Sequence, residues 1–440
     1  MKDNMALNNI VNKTFKILKE VPLCDRCLGR IYSTYGVGLS NKLRGISIKV
    51  LLTMLIPYMI NKLSSEEIKR IAANIKFQPF YVTLQKLNIQ LDIVEKPCYI
   101  CGDILDSVIE EYTKIILKEC LNYEFDNFLV GVHIPSEIAT KEEELMRIFK
   151  IESYESIKNE IKREIGKKIK ERLKLQPEFQ EPDIVFLVNL VENRLDIIVK
   201  PLFISGRYIK LGRKISQVEW LILEKEGYRL KYDLSVEKSL QPIAEIFNAQ
   251  NVVLHAAGRE DVDARMLGYG RPMIIELKNP KFRKLLKQRL LEAEKKVARE
   301  SNGYVHVFLY GKASKNKVRE VKEQAKYHAK TYKVLVISDV KVSEEELKRI
   351  ENVFSNKVVS QRTPTRVLHR RSDVLREKKV YKVVAKRICE NLFELLVKCE
   401  GGLYVKELVD GDFGRTYPSF SSTINKNLKC IELDVLNVSM

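Results

Sequence analysis

Two pairs of cysteines constrain most strongly what this chain can fold into. The motifs CDRC at 24–27 and CYIC at 98–101 are separated by 70 residues. Each C-x-x-C pair can direct both sulfurs at one point, and four thiolates form the ligand set of a structural zinc site. Two unrelated pairs, one of them redox-active, are the alternative. The spacing favours one zinc ion, with a helical insertion between the motifs, bound by Cys24, Cys27, Cys98 and Cys101.

Helical patterns surround the cysteine motifs and continue beyond them. Residues 38–75 show apolar periodicity and a helix-start pattern at Ser64 or Ser65, so we expect residues 1–110 to form one helical module closed by metal. Over about 153–175, apolar side chains recur every four residues and predict the buried stripe of an amphipathic helix. That stripe comprises Ile157, Ile161, Ile165, Ile169 and Leu173.

The charge balance indicates the kind of partner. Lys plus Arg number 77 against 58 Asp plus Glu, a net charge of +19, which favours a polyanion such as nucleic acid. A membrane surface is the competing partner. However, the longest apolar run, residues 50–60, is too short to span a bilayer and contains Pro57. Because the first residues are also too polar for a signal peptide, we expect a cytoplasmic protein that binds no membrane.

The C-terminal half alternates strand-like and helical segments, which predicts an α+β fold from about residue 221. Two of its segments are strongly basic: residues 278–300, predicted to form a helix with a cationic face, and residues 362–379. Arginine-rich segments suit phosphate contacts, although an ordinary solvated surface is the alternative. The residues that we expect to bind nucleic-acid phosphates are Arg366, Arg370 and Arg371.

Residues 255–278, HAAGREDVDARMLGYGRPMIIELK, gather carboxylates between arginines and glycines. In a first interpretation, Asp263, Glu276 and Lys278 form the D…E-x-K pattern of a metal-dependent nuclease, whose two carboxylates hold magnesium. In a second, one ionised aspartate is a nucleophile or base, kept charged by Arg259 and nearby cations. In a third, the acids and glycines only shape a loop. The intervening arginines weaken the need for magnesium but do not decide between the others.

The longer motifs resemble those of the archaeal and eukaryotic tRNA pseudouridine synthases that modify positions 54 and 55 of the T-loop. The resemblance is carried by AGREDVDARMLGYGRPMIIEL, by RTPTRVLHRRSDVLREKKVY at 362–381 and by GGLYVKELVDGDFGRTYPSFSS at 401–422. GRYIKLGRKISQVEW at 206–220 is similar to the end of that family's RNA-binding THUMP-like domain, and the paired cysteines match its N-terminal zinc module. The resemblance covers nearly the whole chain and is least distinctive over 110–190.

The resemblance implies an α+β protein of three domains. A zinc-bound helical module is expected over 1–110, followed by a THUMP-like α/β domain over 111–220. The pseudouridine synthase domain is then expected over 221–440, with a mixed, mostly antiparallel sheet around a central cleft.

The resemblance also implies roles for individual residues. The aspartate of a G-R-x-D-like motif is the family's catalytic nucleophile, and here that position is Asp261. The tyrosine of a K-x-Y motif, which packs on the target base, is Tyr332. A third motif supplies an aromatic, an aliphatic and a cationic residue, here Tyr404, Val405 and Lys406. Val405 is smaller than the family's usual Ile or Leu, and Lys406 is expected to keep Asp261 charged.

The chemistry that the resemblance implies agrees with the rest of the sequence. Pseudouridine formation breaks the N1–C1′ bond of uridine, turns the base and joins C5 to C1′, so it needs no redox partner or energy input. We therefore expect structural zinc, no organic cofactor, tRNA as the partner and no obligate protein partner. Glu260 and Asp263 are expected to be structural. A metal-dependent nuclease and a non-catalytic tRNA-binding protein are the alternative functions.

Overall fold

The computed structural model describes residues 2–152, 154–224, 227–324 and 328–438. The chain forms two compact units, Met1–Ile198 and Val199–Met440. Both units contain helices and sheets, as the predicted α+β class requires.

The first unit begins with six helices. A small sheet follows, and two further helices lie between its first and second strands. Short 3-10 turns follow the third and sixth helices, at Ile60–Lys62 and Cys120–Asn122. The helices are α1 Lys2–Glu20, α2 Asp25–Ile31, α3 Asn41–Met59, α4 Ser65–Ile75, α5 Gln78–Lys86, α6 Leu105–Glu119, α7 Ser136–Ile148 and α8 Ile157–Leu173. The strands are β1 Asn127–His133, β2 Gln176–Pro177, β3 Ile184–Asn189 and β4 Arg194–Val199, in the order β2-β1-β3-β4.

Two local predictions for this unit are confirmed. The Ser64 hydroxyl accepts a hydrogen bond from the Glu67 amide, and the Glu67 carboxylate accepts one from the Ser64 amide, which forms a capping box at the start of α4. The isoleucine stripe lies on α8, where it packs inward, and its fully buried members are Ile157, Ile161, Ile165 and Ile169. Leu173, at the end of α8, is half-buried.

The apolar run at 50–60 belongs to a longer helix, for which the prediction that the segment is too short to span a bilayer is wrong. Helix α3 with its following turn, Asn41–Lys62, is long and apolar enough to cross a membrane by length and composition. The core helix of a soluble protein passes the same test, and Leu52 and Ile56 of α3 are fully buried within the helical unit.

The second unit is built on one large sheet and a separate hairpin. Its strands are β5 Leu202–Lys210, β6 Leu221–Glu224, β7 Gly227–Leu230, β8 Asn251–Ala256, β9 Arg265–Lys278, β10 Val305–Ala313, β11 Lys330–Ser338, β12 Lys357–Gln361, β13 Arg376–Arg387, β14 Leu392–Cys399, β15 Thr416–Tyr417 and β16 Leu428–Val438. Its helices are α9 Val236–Ser239, α10 Gln241–Ile246, α11 Lys287–Glu300, α12 Lys315–Gln324, α13 Glu344–Val353, α14 Val405–Asp410 and α15 Phe420–Ile424. Two 3-10 turns span Thr365–Arg370 and Asp412–Gly414.

The large sheet is mixed and mostly antiparallel, as predicted. Its strand order is β10-β5-β9-β16-β11-β14-β13-β12-β15, with β8 also paired to β9. The pair β9 and β16 is parallel, whereas β11 is antiparallel to both of its neighbours. Within this register Tyr332 lies opposite Val435, which lies opposite Met266. The start of β9 and the start of β11 are therefore only two strands apart.

The segment at 205–220 lies in the second unit. Strand β5 is hydrogen-bonded between β9 and β10, and Tyr208 within it is fully buried. The boundary between compact units thus falls at Ile198, whereas the domain boundary was expected at residue 220. The difference arises because the alternating pattern of β5 fits either sheet, and only the long-range pairing with β9 decides. The division into three domains stays a prediction.

Candidate active site and metal centre

Glu260 anchors the loop between β8 and β9. Its carboxylate is 1% exposed and accepts hydrogen bonds from Nε of Arg271 at 2.8 Å and from the Tyr208 hydroxyl at 3.0 Å, with Nζ of Lys210 at 3.5 Å. Burial raises the pKa of Glu260, but the Arg271 and Lys210 cations outweigh this, and the pKa lies below its ordinary value. Glu260 is therefore an ionised anchor whose oxygens are already engaged.

The same cations fix the backbone of the loop. Nζ of Lys210 donates to the carbonyl of Ile215 at 2.9 Å and to that of Asp261 at 3.3 Å. Nη1 of Arg271 donates to the carbonyl of Ala257 at 2.8 Å. Gly258 follows with φ of +76°, a left-handed conformation that favours glycine and lets the chain turn away from β8. These contacts hold the residue after Glu260 in a defined position.

That residue, Asp261, is the carboxylate that faces open space between two cations. Its Oδ2 lies 3.0 Å from Nη2 of Arg366 and 3.6 Å from Nζ of Lys406, and its side chain is 35% exposed. Nε of Arg366 also binds the buried Glu407 at 2.6 Å, while Nζ of Lys406 binds Asp263 at 2.6 Å. Each cation is thus held by a second acid, and both lie close enough to pair with the Asp261 carboxylate.

The glycine-rich turn before α14 positions the third group of expected residues. Gly402 has φ of +91°, and α14 starts at Val405. The buried Gln361 of β12 holds Tyr404 by its backbone, accepting from the Tyr404 amide at 2.8 Å and donating to its carbonyl at 3.0 Å. The guanidinium of Arg366 lies 6.0 Å from the centroid of the Tyr404 ring. This turn therefore brings an aromatic ring, an apolar side chain and the Lys406 cation to one place.

Tyr332 completes the wall of the cavity from β11. Burial raises the pKa of its hydroxyl, which keeps it protonated near neutral pH. The cavity has a volume of about 790 Å³. Asp261, Tyr332, Tyr404, Val405 and Lys406, which the sequence places far apart, all line it.

The three arginines expected to bind phosphates differ in their surroundings. Arg366, rather than lying free on the surface, is paired with Asp261 and Glu407 inside the cavity. Arg371 is exposed and donates to the Tyr404 hydroxyl at 3.0 Å. The side chain of Arg370 lies outside the part of the chain that the structure describes. The sequence predicted a cationic role for Arg366 but did not predict its pairing with Asp261 and Glu407.

The predicted cationic helix at 278–300 is shorter than expected. Helix α11 spans Lys287–Glu300, and residues 279–286 are irregular. Pro280 within this stretch lacks a backbone donor and disfavours the helical conformation in the residue before it. The basic residues before 287 therefore do not share a helical face with those of α11.

The residues of the proposed nuclease pattern are not joined into a metal cluster. Glu276 pairs with Nε2 of His255 at 2.8 Å across β8 and β9, while Asp263 pairs with Lys406. Neither carboxylate belongs to a group of three or more potential metal ligands among the residues that the structure describes.

Such a group is formed by the four cysteines of the two C-x-x-C motifs. The sulfurs of Cys24, Cys27, Cys98 and Cys101 all lie within 4.8 Å of one another, and those of Cys24 and Cys101 are 3.7 Å apart. Four sulfurs placed tetrahedrally at about 2.3 Å from a zinc ion would be about 3.8 Å apart. Nη2 of the buried Arg30 also lies 3.4 Å from the Cys27 sulfur. The donors and their spacing therefore fit a tetrahedral thiolate site.

The remaining cysteines do not join this cluster. Cys120 and Cys399 are buried, Cys430 is half-buried and Cys389 is exposed. Burial raises the pKa of the Cys399 thiol to about 12, which favours an unreactive, protonated group.

Comparison with known proteins gives matches along nearly the whole chain. A family model described as "Pus10, C-terminal" matches residues 203–439, and one described as "Pus10 THUMP domain, archaeal" matches residues 112–189. The chain is 39% identical to the tRNA pseudouridine synthase Pus10 of Thermosphaera aggregans, covering 99% of this chain and 98% of that protein. It is 38% identical to that of Ignisphaera aggregans, covering 99% of each. A solved structure of a Cbf5-Nop10-Gar1 complex is 14% identical, covering 53% of this chain and 48% of that one with a TM-score of 0.29.

Proposed function

The chain belongs to the Pus10 family and is a tRNA pseudouridine synthase, and on that premise we propose where it acts and with which residue. Its substrate is the T-loop of tRNA, and it isomerises uridine at position 54, at position 55 or at both. Asp261 is the catalytic carboxylate. The observation that carries this assignment is the pair of cations, Arg366 and Lys406, that flank Asp261 in the cavity.

Its acidic neighbours are less suited to the chemistry. Glu260 is 1% exposed and engaged by Arg271, Tyr208 and Lys210, so a nucleotide cannot reach it. Asp263 is 64% exposed, and its Oδ2 is bound by Lys406 at 2.6 Å. Asp261 combines access to the cavity with a backbone fixed by the Glu260 network, which is the arrangement that a nucleophile or base requires.

The reaction is an isomerisation whose atoms balance without a co-reactant. The N1–C1′ bond breaks, the uracil ring turns, a C5–C1′ bond forms, C5 loses its proton and N1 gains one. Asp261 acts either by attacking C1′ or by taking the 2′ proton. Both routes use the Asp261 carboxylate that Arg366 and Lys406 flank.

Tyr332 and Tyr404 supply the aromatic surface for a flipped base. An enzyme that modifies a base inside a folded RNA must extrude the nucleotide, and stacking on an aromatic ring offsets part of that cost. Since burial raises the pKa of Tyr332, its hydroxyl stays protonated and no phenolate is available to take a proton, so we assign Tyr332 to stacking and orientation. Val405 adds a buried apolar contact beside these rings.

Positive charge outside the cavity supplies affinity for tRNA. The net charge of +19 and exposed cations such as Arg371 at the cavity mouth suit binding to phosphates, which is weakened by salt. The THUMP match over 112–189 makes the first unit a second candidate RNA-binding surface.

Zinc is the metal that we assign to Cys24, Cys27, Cys98 and Cys101. The chemistry of four thiolates and the 3.7 Å separation of the Cys24 and Cys101 sulfurs support it. When bound, zinc supplies folding free energy to the first unit rather than chemistry at the cavity.

The substrate assignment is tested with a tRNA transcript that carries no modifications. The purified protein is incubated with it in buffer without added divalent metal, and pseudouridine is mapped along the whole RNA. Conversion at 54, 55 or both supports the proposal. Conversion only at other positions would contradict the T-loop assignment, and metal-dependent cleavage would favour a nuclease instead.

A further inference from the structure

Lys330 stands out among the cations of the cavity because its side chain is both buried and unpaired. It is 7% exposed, it lines the cavity, and burial lowers its pKa to about 8. No hydrogen bond or ion pair links its ammonium group to any of the residues that the structure describes. Its Nζ is not among the fully enclosed atoms that lack a partner, so it reaches the open space of the cavity, where a ligand can accept its hydrogen bonds.

The acids near Lys330 are already engaged. Glu260 is bound by Arg271, Lys210 and Tyr208, and Glu400 is bound by Lys378. This part of the cavity therefore contains more cations than available carboxylates. Lys330 remains as a donor that points toward the site without an acceptor.

The strand register places Lys330 beside the stacking surface. Side chains two residues apart on a strand share a face, so Lys330 and Tyr332 both face the cavity, whereas Lys333 lies on the opposite face of β11. Lys333 is 45% exposed on the side chain and pairs with Glu394 at 2.6 Å. The K-x-Y spacing therefore places the Tyr332 ring and the Lys330 ammonium group side by side in the cavity.

Resting on the proposed function, we propose that Lys330 binds the flipped uracil by donating a hydrogen bond to one of its carbonyl oxygens. A flipped base enters deepest into a pocket, while its phosphates stay with the RNA backbone at the mouth. Lys330 is buried, whereas Arg371 and Lys322, which line the same cavity, are exposed. Its depth therefore suits the base, and the exposed cations suit the phosphates.

The chemistry of the ring turn favours an ammonium group at this place. Turning uracil about the axis through N3 and C6 exchanges N1 with C5 and also exchanges O2 with O4. A donor fixed in the cavity therefore meets a carbonyl oxygen both before and after the turn. Lysine offers three equivalent donors and no acceptor, so it serves either oxygen without rearranging.

The test combines a variant with a change in the substrate. Lys330→Met removes the ammonium group with little change in length, and tRNA carrying 2-thiouridine or 4-thiouridine at the target position replaces one oxygen by a poor acceptor. Single-turnover rates are measured for each enzyme on each tRNA. Since a hydrogen bond to a charged group is involved, we expect Lys330→Met to lose about 10- to 100-fold on ordinary tRNA. We expect wild type to lose rate on at least one thio substrate, and Lys330→Met to lose nothing further on it.

Losses that multiply would overturn the proposal, because the ammonium group and the carbonyl would then act independently. Multiplied losses together with weaker tRNA binding and a smaller salt dependence would assign Lys330 to a phosphate instead. Lys333→Met is the matched control and is expected to keep the wild-type rate on all substrates.

Two further experiments cover the cases in which Lys330→Met does not fold or the wild type converts no T-loop uridine. If Lys330→Met does not fold, Lys330→Arg retains the charge but displaces the donors, and its rate loss must shrink on the same thio substrate. If wild type converts no T-loop uridine, the position proposal fails by itself, and the same comparison is made at whichever uridine it converts.

Discussion

Replacing Glu260 by glutamine is predicted to destabilise the catalytic unit far more than an ordinary loss of one charge. The carboxylate is 1% exposed and neutralises two buried cations, Arg271 at 2.8 Å and Lys210 at 3.5 Å. Glutamine has nearly the same shape but leaves both cations without a counter-charge. Breaking a buried pair in this way costs about 3–5 kcal/mol.

The effect on melting temperature follows from the size of the unit. Val199–Met440 contains about 240 residues, for which 1 kcal/mol shifts the melting temperature by roughly 2 °C. Glu260→Gln should therefore lower the transition of this unit by about 6–10 °C. It should also slow single-turnover pseudouridine formation although Asp261 is intact, because the Lys210 contact to the Asp261 carbonyl depends on the same network.

Thermal unfolding followed by calorimetry measures the shift, with Glu276→Gln as the matched control. Glu276 pairs with His255 in a more accessible setting, 20% exposed, and its loss should cost at most about 1 kcal/mol. Equal melting temperatures for the two variants would refute the claim that the Glu260 network supports the loop. A large shift for Glu260→Gln with an unchanged reaction rate would show that this support does not serve catalysis.

Three other substitutions test the zinc site, the role of the Tyr332 hydroxyl and the binding of phosphates by Arg371. Cys24→Ser should abolish stoichiometric zinc and lower the stability of the first unit, while the unfolding transition of the second unit stays unchanged. The control Cys120→Ser should retain the metal. Full zinc content in Cys24→Ser, measured by metal analysis, would contradict the zinc assignment. Tyr332→Phe should keep most of the single-turnover rate, because burial raises the pKa of the hydroxyl and keeps it protonated, so no phenolate is available to take a proton. A loss beyond about 100-fold would instead indicate proton transfer by that hydroxyl. Arg371→Gln should weaken tRNA binding similarly for different tRNAs and reduce the salt dependence by about one phosphate contact, whereas an unchanged salt slope would leave Arg371 as ordinary surface.

The features predicted well from the sequence are those fixed by local pattern. The doubled C-x-x-C spacing predicted the cysteine cluster, and the four-residue recurrence of isoleucine predicted the buried face of α8. The resemblance of the longer motifs predicted the family and the mixed, mostly antiparallel sheet.

The features that the sequence did not predict depend on long-range pairing. Arg366 is predicted to contact phosphates, a prediction that still stands, but the sequence did not indicate its acidic partners Asp261 and Glu407, which lie 105 and 41 residues away along the chain. Whether a basic side chain meets an acid or solvent is decided by such tertiary contacts. Likewise, β5 pairs with β9 about 70 residues later, which carries the segment at 205–210 into the second unit. The burial of Lys330 has the same origin.

We propose that Asp261, rather than the neighbouring acids, performs the chemistry. The most direct measurement is single-turnover pseudouridine formation at positions 54 and 55 of unmodified tRNA, with saturating enzyme, comparing Asp261→Asn with Asp263→Asn. Both variants remove one charge at nearly constant size, and both carboxylates contact Lys406. We predict no detectable product with Asp261→Asn, tRNA affinity within a few-fold of wild type, and substantial activity with Asp263→Asn. Near wild-type activity in Asp261→Asn together with an inactive Asp263→Asn would contradict the assignment of Asp261 as the catalytic carboxylate.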